Sequence, residues 1–86
     1  MRYLVEIGKK AERELKSLRG SISLRVGERL MRLGANPRPP GCKKLRGTPF
    51  YRIRIGDYRA IYTVVDKEQK VIILSIGHRG EVYRRL

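Results

Sequence analysis

The sequence predicts an α+β fold in which two helices cover one face of a β-sheet. Hydrophobic residues alternate in several short segments and recur every three or four positions in two consecutive segments near the N-terminus, with glycine or proline between them. The 86 residues are 41% hydrophobic, which suits one domain over residues 1–86 with two layers around one core. We expect the order β-α-α-β-β-β and a mainly antiparallel four-stranded sheet.

The first three elements are a strand and a helical hairpin. Tyr3 to Ile7 alternates and predicts a strand that ends at Gly8. Helical spacing follows twice, and glycine is suited to ending each helix. The first helix, ending at Gly20, has the apolar stripe Ala11, Leu15 and Leu18, and the second, ending at Gly34, has Ile22, Val26, Leu30 and Leu33. We expect both stripes to pack against the sheet.

Three further strands follow a rigid connection. The segment from Ala35 to Gly41 contains three prolines, which exclude it from a central strand. Alternation and β-branched or aromatic residues predict strands over Phe50 to Ile55, Tyr58 to Val65 and Val71 to Ser75.

A two-residue turn sets the register of the first hairpin. Gly56-Asp57 suits a type II′ turn, so Ile55 should pair with Tyr58. The pairs that follow are Arg54 with Arg59 and Arg52 with Ile61 on one face, and Ile53 with Ala60 and Tyr51 with Tyr62 on the other. One face is therefore cationic and the other apolar.

Side-chain matching gives the next register, with Val65 opposite Val71. It places Val64, Tyr62 and Ala60 beside Ile72, Leu74 and Ile76 on the apolar face, and Ile61 and Arg59 beside Ser75 and Gly77 on the other. Arg79 then joins Arg52, Arg54 and Arg59 on the face opposite the helices, where the small Ser75 and Gly77 leave room for a ligand. His78 falls on the apolar side, as a structural residue at the core edge or a proton-transfer group.

The charge balance indicates a polyanionic partner. The net charge of +13 exceeds what solubility requires and destabilises a fold by self-repulsion unless an anion neutralises it. Nucleic acid fits best, and an acidic protein could cover the same surface. Lys43, Lys44 and Arg46 are candidates for holding an RNA or ribosome backbone, or else belong to a solvated loop.

Several classes of function are disfavoured. The longest purely aliphatic run, Val71 to Leu74, is too short to span a bilayer, and an N-terminal signal is missing, so we expect a cytoplasmic protein with no membrane partner. A single cysteine, Cys42, allows no internal disulfide. The residues form no obvious metal-ligating cluster, so we expect neither metal nor cofactor.

Several segments together carry a family resemblance. They are Lys44-Leu45-Arg46-Gly47, Tyr51-Arg52-Ile53-Arg54, Gly56-Asp57-Tyr58-Arg59, Ile61-Tyr62, and Gly77-His78-Arg79 followed by Glu81-Val82-Tyr83. In this order and spacing, across nearly the whole chain, they resemble the RelE/ParE superfamily of toxins, specifically its RelE branch. The resemblance implies a toxin neutralised by a cognate antitoxin, and an endoribonuclease that cuts messenger RNA in the ribosomal A site.

The resemblance also implies a catalytic set, which is Arg52, Arg54, Arg59, Arg79 and Tyr83. The implied reaction is metal-independent attack by a ribose 2′-hydroxyl on the adjacent phosphate. Arg54, Arg59 and Arg79 would stabilise charge, and Tyr83 would stack on a base, orient the hydroxyl or move a proton. The well-studied RelE enzymes carry lysines at the positions of Arg52 and Arg54, one of them proposed as general base, so the base is left open.

Two alternatives stay open at this point. One is a toxin like the ParE branch, which has the same fold but inhibits DNA gyrase, and the other is an RNA- or DNA-binding homologue with weak or no catalysis. The toxin should be monomeric or part of a hetero-oligomer with its antitoxin, which we expect over the helices, the cationic face or both, with Ile61 and Ile73 as exposed apolar contacts.

Overall fold

The computed structural model describes residues 2–78, which form two helices and a mixed β-sheet. The elements are β1 (Leu4–Ile7), α1 (Lys9–Ser17), α2 (Gly20–Met31), β2 (Lys43–Lys44), β3 (Phe50–Ile55), β4 (Tyr58–Val65) and β5 (Lys70–His78), with 3₁₀ turns at Arg32–Gly34 and Asp66–Glu68. The sheet has the order β1-β5-β4-β3-β2, in which β1 is parallel to β5 and the other neighbours are antiparallel. The predicted α+β class is confirmed.

The strand count differs from the prediction. We expected four strands in the sheet, and the described residues form five because β2 pairs with β3 at its edge. Strand β2 has only two residues, Lys43 and Lys44, which are too few to show a hydrophobic period. The backbone N–H of Leu45 donates to the carbonyl of Phe50 at 2.9 Å and continues this pairing.

The helical hairpin packs as predicted, with one exception. Val26, Leu30 and Leu33 are fully buried, whereas Ile22 is 39% exposed and does not belong to the core. The first helix also ends earlier than expected, at Ser17, and Gly20 begins α2 with a positive φ of 44°. Among residues 2–78, the helices are too short or too polar to cross a membrane.

The β3–β4 hairpin has the predicted register throughout. Ile55 pairs with Tyr58 around Gly56, which has a φ of +62°, and all five pairs named above are present. The helix-facing side of this hairpin contributes Ile53, Ala60 and Tyr62 to the core. The opposite side carries the arginines.

The β4–β5 register is only half as predicted. Ile61 lies opposite Ser75, as expected, but a bulge next to this pair leaves Leu74 without a partner on β4, so Tyr62 pairs with Ile73. Val71 and Ile73 are therefore the buried residues, rather than Ile72 and Leu74. Those two predicted apolar-face positions were wrong.

A tyrosine ties the proline-rich connection to the sheet. Tyr62 is fully buried, and its hydroxyl donates to the carbonyl of Pro37 at 2.8 Å. The ring of Tyr51 stacks on it with centroids 5.6 Å apart. The connection therefore lies across the helix-facing side at the end of the sheet where β3 begins and β4 ends.

Candidate functional site

Four cationic side chains of the described residues share the open side of the sheet. We call this group the cationic face, and its members are Lys43, Arg52, Arg54 and Arg59. Strand pairing places Arg54 directly opposite Arg59, and Lys43 directly opposite Arg52. Side chains paired in this way have Cβ atoms roughly 5 Å apart, and like charges at that distance destabilise a sheet. The cationic face therefore concentrates positive charge that the fold itself does not require.

Arg59 has the clearest unmet interaction. Its Nη1 atom is buried and has no hydrogen-bond acceptor among residues 2–78. A buried donor without a partner costs roughly 1 to 3 kcal/mol, and more when the group is charged. The Arg59 guanidinium therefore has a donor available to bind an anion, and its forked N–H groups match the geometry of phosphate oxygens.

Arg54 is held by the turn that follows it. Its Nε donates to the carbonyl of Gly56 at 3.1 Å, so the hairpin orients the exposed guanidinium beside Arg59. The sequence explains this local geometry. In a two-residue turn that begins with glycine, the glycine carbonyl lies within reach of a side chain at the end of the preceding strand.

None of the four side chains of the cationic face forms an ion pair with another residue of the described part of the chain. The ion pairs formed there are Arg38 with Asp66 at 2.9 Å, and Lys70 with Glu6 at 3.3 Å and Glu68 at 3.6 Å. All of these ion pairs lie near the C-terminal end of β4 and the N-terminal end of β5, away from Arg54 and Arg59. The positive potential over the cationic face is therefore left for an external anion.

The floor beside the arginines is tighter than predicted. Gly77 does lie opposite Arg59, but Ser75 is only 1% exposed and its hydroxyl is 3.4 Å from Oε1 of Glu14. Ile61 is fully buried although it faces the same side as Arg52. The room expected beside Ser75 is absent, and any ligand is limited to the surface near the arginines.

The predicted backbone-binding residues divide between two sides. Lys43 and Lys44 are consecutive in β2 and so point to opposite faces, with Lys43 beside Arg52 and Lys44 beside Tyr51. Arg46 is exposed in the turn that follows, which borders a shallow hollow with Gly47. Only Lys43 belongs to the cationic face.

The remaining predicted residues lie elsewhere. His78 pairs with Tyr58 and lies on the apolar side of the sheet, as predicted, but it is exposed and contacts the Tyr58 ring edge-on at a centroid distance of 5.4 Å. Because Tyr58 shares a side with Ala60, His78 lies on the side away from Arg59. Arg79 and Tyr83 lie outside the described residues and stay predictions. Among residues 2–78, no three His, Cys, Asp or Glu side chains lie close enough together to hold a metal ion.

Among residues 2–78, the exposed large apolar side chains are Leu4 on β1 and Ile22, Leu24 and Met31 on α2. Ile61 and Ile73 are both fully buried, so their prediction as exposed contacts was wrong. Leu24 and Met31 are 69% and 56% exposed, with Gly27 between them, and they line a groove of about 620 Å³. Their spacing of three and four is a second helical stripe that sequence reasoning could have found.

Comparison with known proteins gives a consistent family. Residues 5–83 match the family model described as ParE toxin of type II toxin-antitoxin system, parDE. The mRNA interferase toxin RelE of Escherichia coli is 31% identical over 88 residues, covering 96% of this chain and 92% of the relative. Toxin RelG of Mycobacterium tuberculosis is 34% identical over 89 residues, covering 99% and 100%.

A solved structure adds the same result for the fold. The RelE–RelB complex of the archaeon Pyrococcus horikoshii contains a chain that is 36% identical to this one, with a TM-score of 0.82. The match covers 95% of this chain and 100% of that chain. Sequence and fold therefore agree over almost the full length.

Proposed function

This chain belongs to the ParE toxin family of type II toxin-antitoxin systems, as a RelE-type toxin, and on that premise we propose that it is an endoribonuclease that cleaves messenger RNA in the ribosomal A site. The RelE relative of Escherichia coli is named an mRNA interferase, and its similarity extends over nearly all of this chain. The chemistry proposed below rests on the cationic face.

One observation carries the proposal more than any other. Arg59 has a buried guanidinium nitrogen to which no group of the described residues is an acceptor, and it lies directly across from Arg54 in the sheet. In 2′-hydroxyl attack, a bond forms between the 2′-oxygen and phosphorus while the bond to the 5′-oxygen breaks. Negative charge grows on the non-bridging oxygens, and fixed donors stabilise that charge most when they are already oriented and desolvated.

The arginines of the cationic face are excluded as the groups that transfer protons. A guanidinium stays protonated near neutral pH and cannot act as a base there, so Arg52 and Arg54 bind and orient the phosphate instead. Tyr83 is our candidate for orienting the 2′-hydroxyl or moving its proton, and Arg79 for sharing the phosphate charge. The departing 5′-oxygen takes a proton from water, which balances the proton that the 2′-hydroxyl gives up, and the step requires no metal.

The ribosome would position the messenger RNA on the cationic face. This face has four cations and little depth, so it would hold a flexible strand only weakly, and the ribosome would fix the geometry of the strand. Exposed Lys44 and Arg46 would contact the ribosomal backbone next to the cationic face.

The protein partner is a cognate antitoxin. The Pyrococcus horikoshii relative was solved as a RelE–RelB complex, which supports the same kind of partner for this chain. The groove on α2 offers a second surface for it, apolar at Leu24 and Met31 and cationic at Arg2 and Arg32. An amphipathic helix with acidic flanks fits that combination.

The test is to add the purified protein to translating ribosomes and to map new messenger RNA ends. We expect cuts inside codons, which Arg59→Ala strongly reduces and which Arg13→Ala, a change of an exposed arginine on α1, leaves in place. Inhibition of gyrase without new RNA ends would favour the ParE-like alternative. RNA binding with neither activity would favour a binding homologue.

A further inference from the structure

Strand β5 loses one of its two neighbours halfway along its length. Strand β1 pairs with it only as far as Ile7 opposite Ile73, and the N–H of Gly8 donates one more bond to the Ile73 carbonyl at 2.9 Å. The chain then turns away into α1. From Leu74 onward, no strand of the described part of the chain lies beside the edge of β5 that faced β1.

A carboxylate from α1 takes the place of the missing strand. Oε1 of Glu14 accepts the backbone N–H of Ile76 at 2.9 Å and the hydroxyl of Ser75 at 3.4 Å. A buried backbone N–H needs an acceptor, and a charged acceptor makes a stronger bond than a carbonyl. Glu14 therefore continues the hydrogen bonding of the sheet beyond the end of β1.

This bond lies next to the bulge, where the register of β5 could slip. Leu74 has no partner on β4, and the pairs Ile61 with Ser75 and Arg59 with Gly77 follow directly. A slip of one residue would turn each side chain of this segment to the other face. The Glu14 carboxylate holds the N–H of Ile76 at the strand edge and so selects the register that places Gly77 opposite Arg59.

We propose that Glu14 is a positioning residue of the cationic face, which acts on the reaction by fixing the end of β5 against Arg59. Its effect on RNA cleavage rests on the proposed function, whereas its effect on β5 does not. The same segment leads in sequence directly to Arg79.

The test uses three substitutions at Glu14 and one matched control. Glu14→Ala removes the acceptor, Glu14→Asp shortens the side chain so that it no longer reaches Ile76, and Glu14→Gln keeps an oxygen that can accept both bonds. Glu12→Ala removes the same charge from an exposed position on the same helix. Amide hydrogen exchange at Ile76 and the kinetics of cleavage on ribosomes are then measured for each variant.

We expect Glu14→Ala and Glu14→Asp to accelerate exchange at Ile76 and to lower kcat by about tenfold to a hundredfold, with KM changed less than about twofold. Glu14→Gln and Glu12→Ala should stay near the unsubstituted protein in both measurements. Unchanged exchange in Glu14→Ala overturns the proposal, and so does faster exchange with a normal kcat. An equal loss in Glu12→Ala and Glu14→Ala also overturns it, because charge alone would then explain the effect.

A further measurement separates this inference from the proposed nuclease activity. If the unsubstituted protein cleaves no RNA, the NMR signal of the Arg59 Nε–H is followed while a non-cleavable 2′-O-methyl trinucleotide is added. The proposal expects a shift in the unsubstituted protein and in Glu14→Gln, and a reduced shift in Glu14→Ala. Identical shifts in all three proteins overturn it.

Discussion

The two ends of β4 use arginine in opposite ways. Beyond its C-terminal end, Arg38 donates from Nη2 to Asp66 at 2.9 Å and from Nε to the Tyr51 hydroxyl at 2.9 Å, with its guanidinium 5.3 Å from the centre of the Tyr51 ring. Near the N-terminal end, Arg59 faces Arg54 and has a buried guanidinium nitrogen with no acceptor among residues 2–78. Within that part of the chain, the hydrogen-bonding groups of Arg38 have partners and one nitrogen of Arg59 does not.

The satisfied end is a network of groups from separate parts of the chain. Asp66 accepts from Arg38 and, at 2.6 Å, from the hydroxyl of Tyr3. These bonds, first from Arg38 and then from Tyr3, lower the pKa of the Asp66 carboxyl, while the bond to Asp66 raises the pKa of the Tyr3 phenol. All three guanidinium nitrogens of Arg38 and the Tyr3 hydroxyl donate to an acceptor at this end, which is what a structural role requires.

The comparison indicates how structural and functional arginines can be distinguished. The N–H donors of a structural arginine are hydrogen-bonded within the chain. An arginine that binds a ligand keeps donors without an acceptor in the free protein, at a cost in stability. Changes at the two ends of β4 should therefore separate catalysis from stability.

The largest effect should come from Arg59→Ala. It removes one preoriented donor to the developing phosphate charge, so we expect cleavage to fall by roughly 2.7 to 4 kcal/mol of transition-state stabilisation, about 10²- to 10³-fold. Initial rates on translating ribosomes measure this loss. Thermal unfolding should show an unchanged or higher Tm, because the repulsion between Arg54 and Arg59 is relieved.

Arg38→Ala is the matched comparison for that change. It removes an arginine whose donors are already used by Asp66 and Tyr51, so cleavage should continue while thermal stability falls slightly. Near-normal cleavage by Arg59→Ala, or a large loss in Arg38→Ala, would break the distinction between the two ends.

The next effect should come from Tyr62→Phe at the structural end. The substitution leaves the ring in place and removes the hydroxyl that donates to the Pro37 carbonyl at 2.8 Å. We expect a loss of about 1 kcal/mol in the free energy of unfolding, measured by urea denaturation, with no change in the cleavage rate. Tyr58→Phe is the control, since the Tyr58 hydroxyl has no hydrogen bond within residues 2–78, and it should change neither quantity.

The cationic face could be predicted where a local signal determined the geometry. Gly56-Asp57 specifies a short turn, and the turn alone determines that Arg54 faces Arg59. The pairing near Ser75 also followed from side-chain matching. The two-residue β2 could not be predicted, because a strand without a period is recognised only by its partner.

The bulge and the structural network had no local signal. Leu74 lies in a run of aliphatic residues, any of which could be the extra one, so only the packing of α1 on β5 decides it. Arg38 and Asp66 are 28 residues apart and meet because the proline-rich connection crosses the sheet. The role of Glu14 could not be predicted for the same reason, because its partners Ser75 and Ile76 are distant in sequence. From the sequence alone, Glu14 is one more solvent-facing acid on a charged helix. Arg79 and Tyr83 stay predictions from the family resemblance.

The smallest effect should be a change in the pH dependence of stability through Asp66. Its pKa in the folded chain is lowered from the ordinary value of 3.8, so its contribution is present above that value and is lost as the pH falls through the lower folded pKa. Asp66→Asn should therefore lower Tm near pH 6 and differ progressively less from the unsubstituted protein as the medium is acidified. The effect is small because the Arg38 and Asp66 side chains are 43% and 56% exposed and solvent screens the pair. Asp57→Asn in the opposite turn is the control, and an equal shift of the acid limb in both variants would mean that net charge, rather than the bonds of Arg38 and Tyr3, stabilises that end of the sheet.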